Sequence, residues 1–148
     1  MGQPFDPYLI VPFSVIRIPY RFLDQERPVS KLFVVLGHKQ MESGEVWAYC
    51  IKTTSNVRIY ENDERRRSGC VCYEPGSVPC FPVKTYVEPD NTFPISHRDI
   101  IRANTLGGFE IHPALPSDFK MRLCRAIAAS ITMDKRQKNR MIEFVGCP

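Results

Sequence analysis

Leu32-Phe33-Val34-Val35-Leu36-Gly37, then Met41-Glu42-Ser43-Gly44, then Glu45-Val46-Trp47-Ala48-Tyr49-Cys50-Ile51-Lys52, is the stretch that decides the fold. The first run is short, apolar throughout and closed by glycine, which predicts a strand covered on both faces, and the last run, with Trp47 and Tyr49, predicts a second. Between them lies a segment of hairpin composition, so the two strands pair antiparallel. They form the centre of a sheet.

Upstream, Ile16, Ile18, Tyr20 and Phe22 alternate with Arg17 and Arg21 over Ser14 to Phe22, the period-two pattern of a half-buried strand. Pro19 inside it points to an edge position or a bulge. Downstream, Val57 to Tyr60, Cys70 to Tyr73, Val83 to Val87 and Asp99 to Arg102 are further short strand candidates, spaced as in a barrel. Thirteen prolines against eight glycines cut the chain into short segments, which favours strands over long helices.

The pattern changes at Pro116-Ser117. Phe119, Leu123, Ile127 and Ile131 recur every four residues, Ala126 lies beside them, and Ser117 stands where an N-cap belongs, so one amphipathic helix follows. Beyond it, Met133 to Arg140 is a basic run, and Met141 to Val145 is an extra strand or a partner-binding tail. The expectation is one domain over 1–148, mainly β with α+β character: a small antiparallel barrel over about 12–112, a C-terminal helix over about 117–133, and a basic tail over 134–148.

Hydrophobic residues make up 43% of the 148 and charged residues 24%, which excludes wholesale disorder. No window approaches the roughly 20 apolar residues of a membrane span, and no basic segment followed by an apolar stretch opens the chain. A cytoplasmic protein with no membrane association is expected. The six cysteines then read as free, mostly buried thiols. Cys70, Cys72 and Cys80 lack zinc-ligand spacing and a nearby fourth ligand, so no metal and no cofactor is expected.

Net charge is +4, which permits an anionic partner without demanding one. Cys50-Ile51-Lys52-Thr53-Thr54-Ser55-Asn56 runs from a hydrophobic strand into three hydroxyls and an amide, donors suited to phosphate oxygens, or else an ordinary polar turn. Lys31, and Arg27-Pro28 before it, lie at the start of the preceding strand, whose hairpin pairing would bring the cations to the same rim as the hydroxyls. Cation and hydroxyl together suit metal-free RNA cleavage. Lys52, Ser55 and Asn56, with Arg65, Arg66 and Arg67 in the charged run from Glu61, are the candidate RNA contacts, the alternative for that run being a solvated loop.

His38, His97 and His112 are scattered along the chain. His97, in Pro94-Ile95-Ser96-His97-Arg98-Asp99, is a general base or a phosphate contact, or else, as is more usual, a loop histidine bonded to backbone.

The order Ile16-Arg17-Ile18-Pro19-Tyr20, a polar loop with Arg27-Pro28, the strand Leu32 to Leu36, and a strand ending Ile51-Lys52-Thr53-Thr54-Ser55 resembles the MazF/PemK toxin endoribonucleases over roughly residues 12 to 131. The resemblance implies an SH3-like, CcdB/MazF-like barrel, a homodimer neutralised by a cognate antitoxin, and cleavage of single-stranded RNA without metal. It further implies an acid-base and phosphate-handling cation at Arg27 or Lys31 and a transition-state hydroxyl at Thr53 or Thr54. The family usually runs from its Arg-Pro straight into the strand, whereas Val29, Ser30 and Lys31 intervene here. The alternative is a non-catalytic barrel that binds a protein target or nucleic acid.

Overall fold

The computed structural model describes residues 5–20 and 29–148; Arg27, and the end of the first predicted strand beyond Tyr20, lie outside them. After a single 3-10 turn, Pro7–Leu9, come β1 (Ser14–Tyr20), β2 (Val29–Gln40), β3 (Val46–Thr54), α1 (Arg58–Glu61), α2 (Glu64–Arg67), β4 (Val71–Tyr73), β5 (Thr85–Ser96), α3 (His97–Thr105), β6 (Glu110–Ala114), α4 (Phe119–Ala129) and α5 (Lys135–Val145). The strands form a mostly antiparallel sheet in the order β4-β5-β3-β2-β1-β6, so the class is α+β with a dominant sheet. The chain divides into two compact units, residues 1–50 with 93–114, and residues 51–92 with 115–148.

In the first unit the hairpin forms as expected: Gly44 N–H donates to Met41 O at 2.9 Å and Met41 N–H to Glu45 O at 2.7 Å. Gly44 has φ +87°, a left-handed conformation that a glycine adopts without strain. Phe33, Val34, Val35 and Leu36 are all buried, the two-sided cover that an uninterrupted apolar run requires. Phe33 and Val35 join Ile16, Ile18, Ala48, Cys50, Ile95 and Ile100 in one core. Arg17, between the two buried isoleucines of β1, turns outward to Glu110 at 3.4 Å.

β1 is not an edge strand, since β2 and β6 flank it. Pro19 is tolerated because β6 pairs only as far as Arg17, leaving no ladder partner on that side. A side chain on Gly108 would come within 3.0 Å of the Pro19 ring, so glycine permits the close approach there.

The second unit has an aromatic interior. The Tyr73 ring lies 5.5 Å from Phe81 and 6.5 Å from Phe119, and α4 buries Phe119, Leu123, Ala126 and Ile127, the spacing that predicted it. α4 stops at Ala129, four residues early. The Ser130 hydroxyl accepts from Thr132 N–H and Met133 N–H, a local turn that competes with helix and leaves Ile131 52% exposed.

Three local readings are corrected. Val57 to Tyr60 and Asp99 to Arg102 are not strands: Val57 is the N-cap of α1, which takes in Arg58 to Tyr60, and Asp99 to Arg102 lie within α3. For α3 the cause is a cap: the Ser96 hydroxyl accepts from Asp99 N–H at 3.1 Å. The C-terminal segment is neither strand nor tail but α5, opened by a reciprocal capping box between Asp134 and Gln137 and ended by Gly146 at φ +79°. The chain therefore has a second C-terminal helix; its buried stripe, Met141 and Val145, is too narrow to stand out among its charges.

The expectation of free thiols is also corrected. Cys124 of α4 and Cys147 after α5 form a disulfide, while Cys50 and Cys80 are free and buried, and Cys70 and Cys72 free and half-buried. Closing a loop of 23 residues restricts the unfolded chain by about 3 kcal/mol. Urea unfolding with and without dithiothreitol should differ by roughly that amount, and Cys147→Ser should remove the difference.

Candidate functional site

Lys31 is half-buried in β2, opposite Ile18 of β1. In the second unit, β3 emerges through Lys52 and ends at Thr54. Thr53 is 6% exposed, whereas Thr54 is half-buried and Ser55 and Asn56 are exposed. The Thr54 Oγ1 accepts from Asn56 N–H at 3.1 Å, so its own proton is left to donate. Of the two threonines, Thr54 is the one a ligand could reach.

The arginine run is the helix α2, capped by Asp63, rather than a loop. Arg65 and Arg66 are exposed, and the Arg66 guanidinium lies over the Tyr60 ring at 5.7 Å. Arg67 instead serves the fold, since its Nη1 donates to Tyr60 O at 3.2 Å and Glu61 O at 2.9 Å, neutralising the carbonyl end of α1.

Burial rules out thiolate chemistry among the four free cysteines. It raises the pKa of all four, Cys70 to about 12, so each is a neutral thiol at pH 7. Tyr60 is likewise held protonated by burial and by the Glu88 carboxylate, to which its hydroxyl donates a short hydrogen bond. That pair is buried and structural.

One titratable group is open and tuned the other way. His97 begins α3 and is half-buried; 59 residues away in sequence, His38 lies near the end of β2, and the two rings meet at 2.8 Å, His97 Nε2 to His38 Nδ1. His38 Nε2 in turn lies 2.9 Å from Ile10 O. A carbonyl oxygen only accepts, so His38 carries its proton on Nε2. Neutral His38 therefore offers a lone pair at Nδ1, and His97 must donate to it from Nε2. By elimination, the lone pair of neutral His97 sits on Nδ1.

Tyr8, 56% exposed, packs edge-on to His97 at 4.7 Å and tilted to His38 at 5.3 Å, restricting both rings. Burial lowers the His97 pKa, the His38 ring lowers it further, and Asp6 opposes both. Neutral at pH 7, oriented by a second imidazole that is itself anchored on backbone, His97 has the properties of a general base.

The same shift makes a stability prediction. A histidine with a folded pKa below its unfolded value binds fewer protons when folded, so stability falls as pH drops through about 6.5 toward the folded value. Urea midpoints between pH 7.5 and 5 should decline more in the native protein than in His97→Gln.

Sequence reasoning singled out His97 but treated the histidines as scattered, so it missed the pairing with His38, and it did not consider Tyr8. No local motif joins residues 8, 38 and 97; only strand pairing and the docking of the N-terminal turn do so. Lys31 is a separate place on the same strand: seven residues before His38 at about 3.3 Å each puts it roughly 23 Å away. No family model, curated protein or solved structure matches this chain.

Proposed function

We propose that this protein is an endoribonuclease that cuts single-stranded RNA without a metal ion, with His97 as its base. The observation that carries the reading is the Ile10–His38–His97 relay, which orients the His97 ring and leaves the lone pair of its neutral form on Nδ1. In the reaction, His97 Nδ1 takes the proton of a ribose 2′-hydroxyl and the 2′ oxygen forms a bond to the adjacent phosphorus. The bond from phosphorus to the 5′ oxygen then breaks, and that oxygen leaves as an alcohol with the proton returned by the imidazolium. The products are a 2′,3′-cyclic phosphate and a 5′-hydroxyl, with atoms and charge conserved.

RNA as the substrate is favoured by the net charge of +4, by the exposed Arg65, Arg66, Ser55 and Asn56, and by the donor hydroxyl of Thr54. The resemblance to MazF/PemK toxins supplies the rest of the reading: an SH3-like barrel, a cytoplasmic homodimer, and an antitoxin partner. It also offers a rival chemical centre, with Lys31 or Arg27 as the cation and Thr54 or Thr53 as the hydroxyl.

The test is incubation of the purified protein with single-stranded RNA in excess EDTA. Cleavage to cyclic-phosphate ends, strongly slowed in His97→Ala and retained in Lys31→Ala and Thr54→Ala with weaker binding, less salt-dependent in Lys31→Ala, is the expected result. No cleavage, or cleavage only with added Mg²⁺, ends the nuclease reading. A loss of turnover in Lys31→Ala or Thr54→Ala with His97→Ala intact moves the chemistry to those residues.

One observation favours a binding protein instead. Tyr8, Leu9 and Val11, at 56%, 70% and 55% exposure, set three large apolar side chains on the surface of one short segment. A stoichiometric protein captured from lysate, with RNA left intact, would support that reading.

A further inference from the structure

The second unit holds an open pocket of about 230 Å³ lined by Ser68, Cys70 and Val71 on one side and by Arg122, Arg125 and Ala126 of α4 on the other. That is room for several waters, and so for a tetrahedral oxyanion. The lining contains two guanidiniums and no carboxylate.

The two arginines, three residues apart on one helix, lie on the same face. Arg122 is fixed: its Nη2 donates to Cys72 O at 2.5 Å and its guanidinium stacks on the Tyr73 ring at 4.7 Å. That bond occupies one of its five N–H groups. Arg125 is exposed, and among the described residues neither arginine forms an ion pair.

The opposite wall does not repel an anion. The Cys70 thiol, raised to about 12, is uncharged, and the Ser68 hydroxyl donates to Arg65 O at 2.9 Å. The carbonyl end of α2 is covered, because Ser68, Gly69 and Cys70 donate their N–H groups to Glu64 O, Arg66 O and Arg67 O. Asp118, one turn before Arg122, and Glu88 and Asp90, whose charges are felt at Cys70, do not line the pocket.

We infer that this pocket binds a phosphate group through Arg122 and Arg125, in the bidentate manner that planar guanidiniums favour. The pocket would do so whether or not the protein cleaves RNA. Its ligand is a phosphate dianion, supplied as inorganic phosphate free in solution or as the monoester at the 5′ end of an RNA.

The test is calorimetric titration at constant ionic strength with inorganic phosphate, and with an RNA trinucleotide carrying either a 5′-phosphate or a 5′-hydroxyl. Saturable binding of phosphate, or of the phosphorylated trinucleotide in preference to its hydroxyl twin, is expected. Arg125→Gln, an exposed change that leaves the Tyr73 stack intact, should weaken it at least tenfold, and Arg136→Gln on α5 should not. A response to the phosphorylated RNA alone identifies the RNA end as the source. Absence of binding to both phosphate probes, or equal weakening by Arg136→Gln, overturns the site.

Discussion

His97→Ala is expected to slow RNA cleavage by about 10²- to 10⁴-fold, the range supplied by a positioned general base. The loss should fall on kcat, because the imidazole acts on the hydroxyl proton in the transition state while the phosphates are held by other groups. The pH profile gives an independent sign. Cleavage needs the unprotonated ring, so the rate should rise with pH through a midpoint below 6.5, since burial and His38 lower the His97 pKa from that ordinary value. A midpoint at or above 6.5, or a rate independent of pH from 5 to 7.5, would show that a different group takes the proton.

Phe33→Ala should cost about 3 to 5 kcal/mol of folding stability, the range for removing a fully buried phenyl ring. Phe33 is 0% exposed, shares one core with Ile16, Ile18, Val35, Ala48, Cys50, Ile95 and Ile100, and lies 5.7 Å ring to ring from Phe93. The neighbours come from four strands and a helix, so the hole cannot close by moving one of them. Val83→Ala, at a side chain 54% exposed, should change stability by no more than about 0.5 kcal/mol. Urea denaturation followed by Trp47 fluorescence measures both, and equal effects would mean that Phe33 is not the core residue described.

What the sequence made legible was whatever depends on near neighbours. The β2–β3 hairpin and the buried face of α4 follow from apolar spacing, and the structure has both. α3 and α5 were misread because their capping residues, Ser96 and Asp134, outweigh apolar stripes too thin to register: one fully buried residue in α3, two in α5. Pro19 suggested an edge, whereas the true reason for its tolerance is the length of a partner strand nearly a hundred residues away. The Cys124–Cys147 bond has the same character, since no spacing rule joins a residue in one helix to one after the next.

The site follows the same division. Thr53 and Thr54 look alike in sequence, and only burial separates them. Arg65, Arg66 and Arg67 form one charge run, yet Arg67 closes a helix end while Arg65 is exposed. The His38–His97 contact was beyond sequence reasoning because a hydrogen bond between residues 59 apart is a product of strand order and helix docking, not of pattern.

The most direct test of the account is ¹⁵N NMR of the imidazole nitrogens at pH 7, read together with their titration. The relay requires protons on Nε2 of both His38 and His97, an unprotonated Nδ1 on His97, and a His97 midpoint below 6.5. A proton on His97 Nδ1 at neutral pH, or a His97 midpoint at or above 6.5, would contradict it.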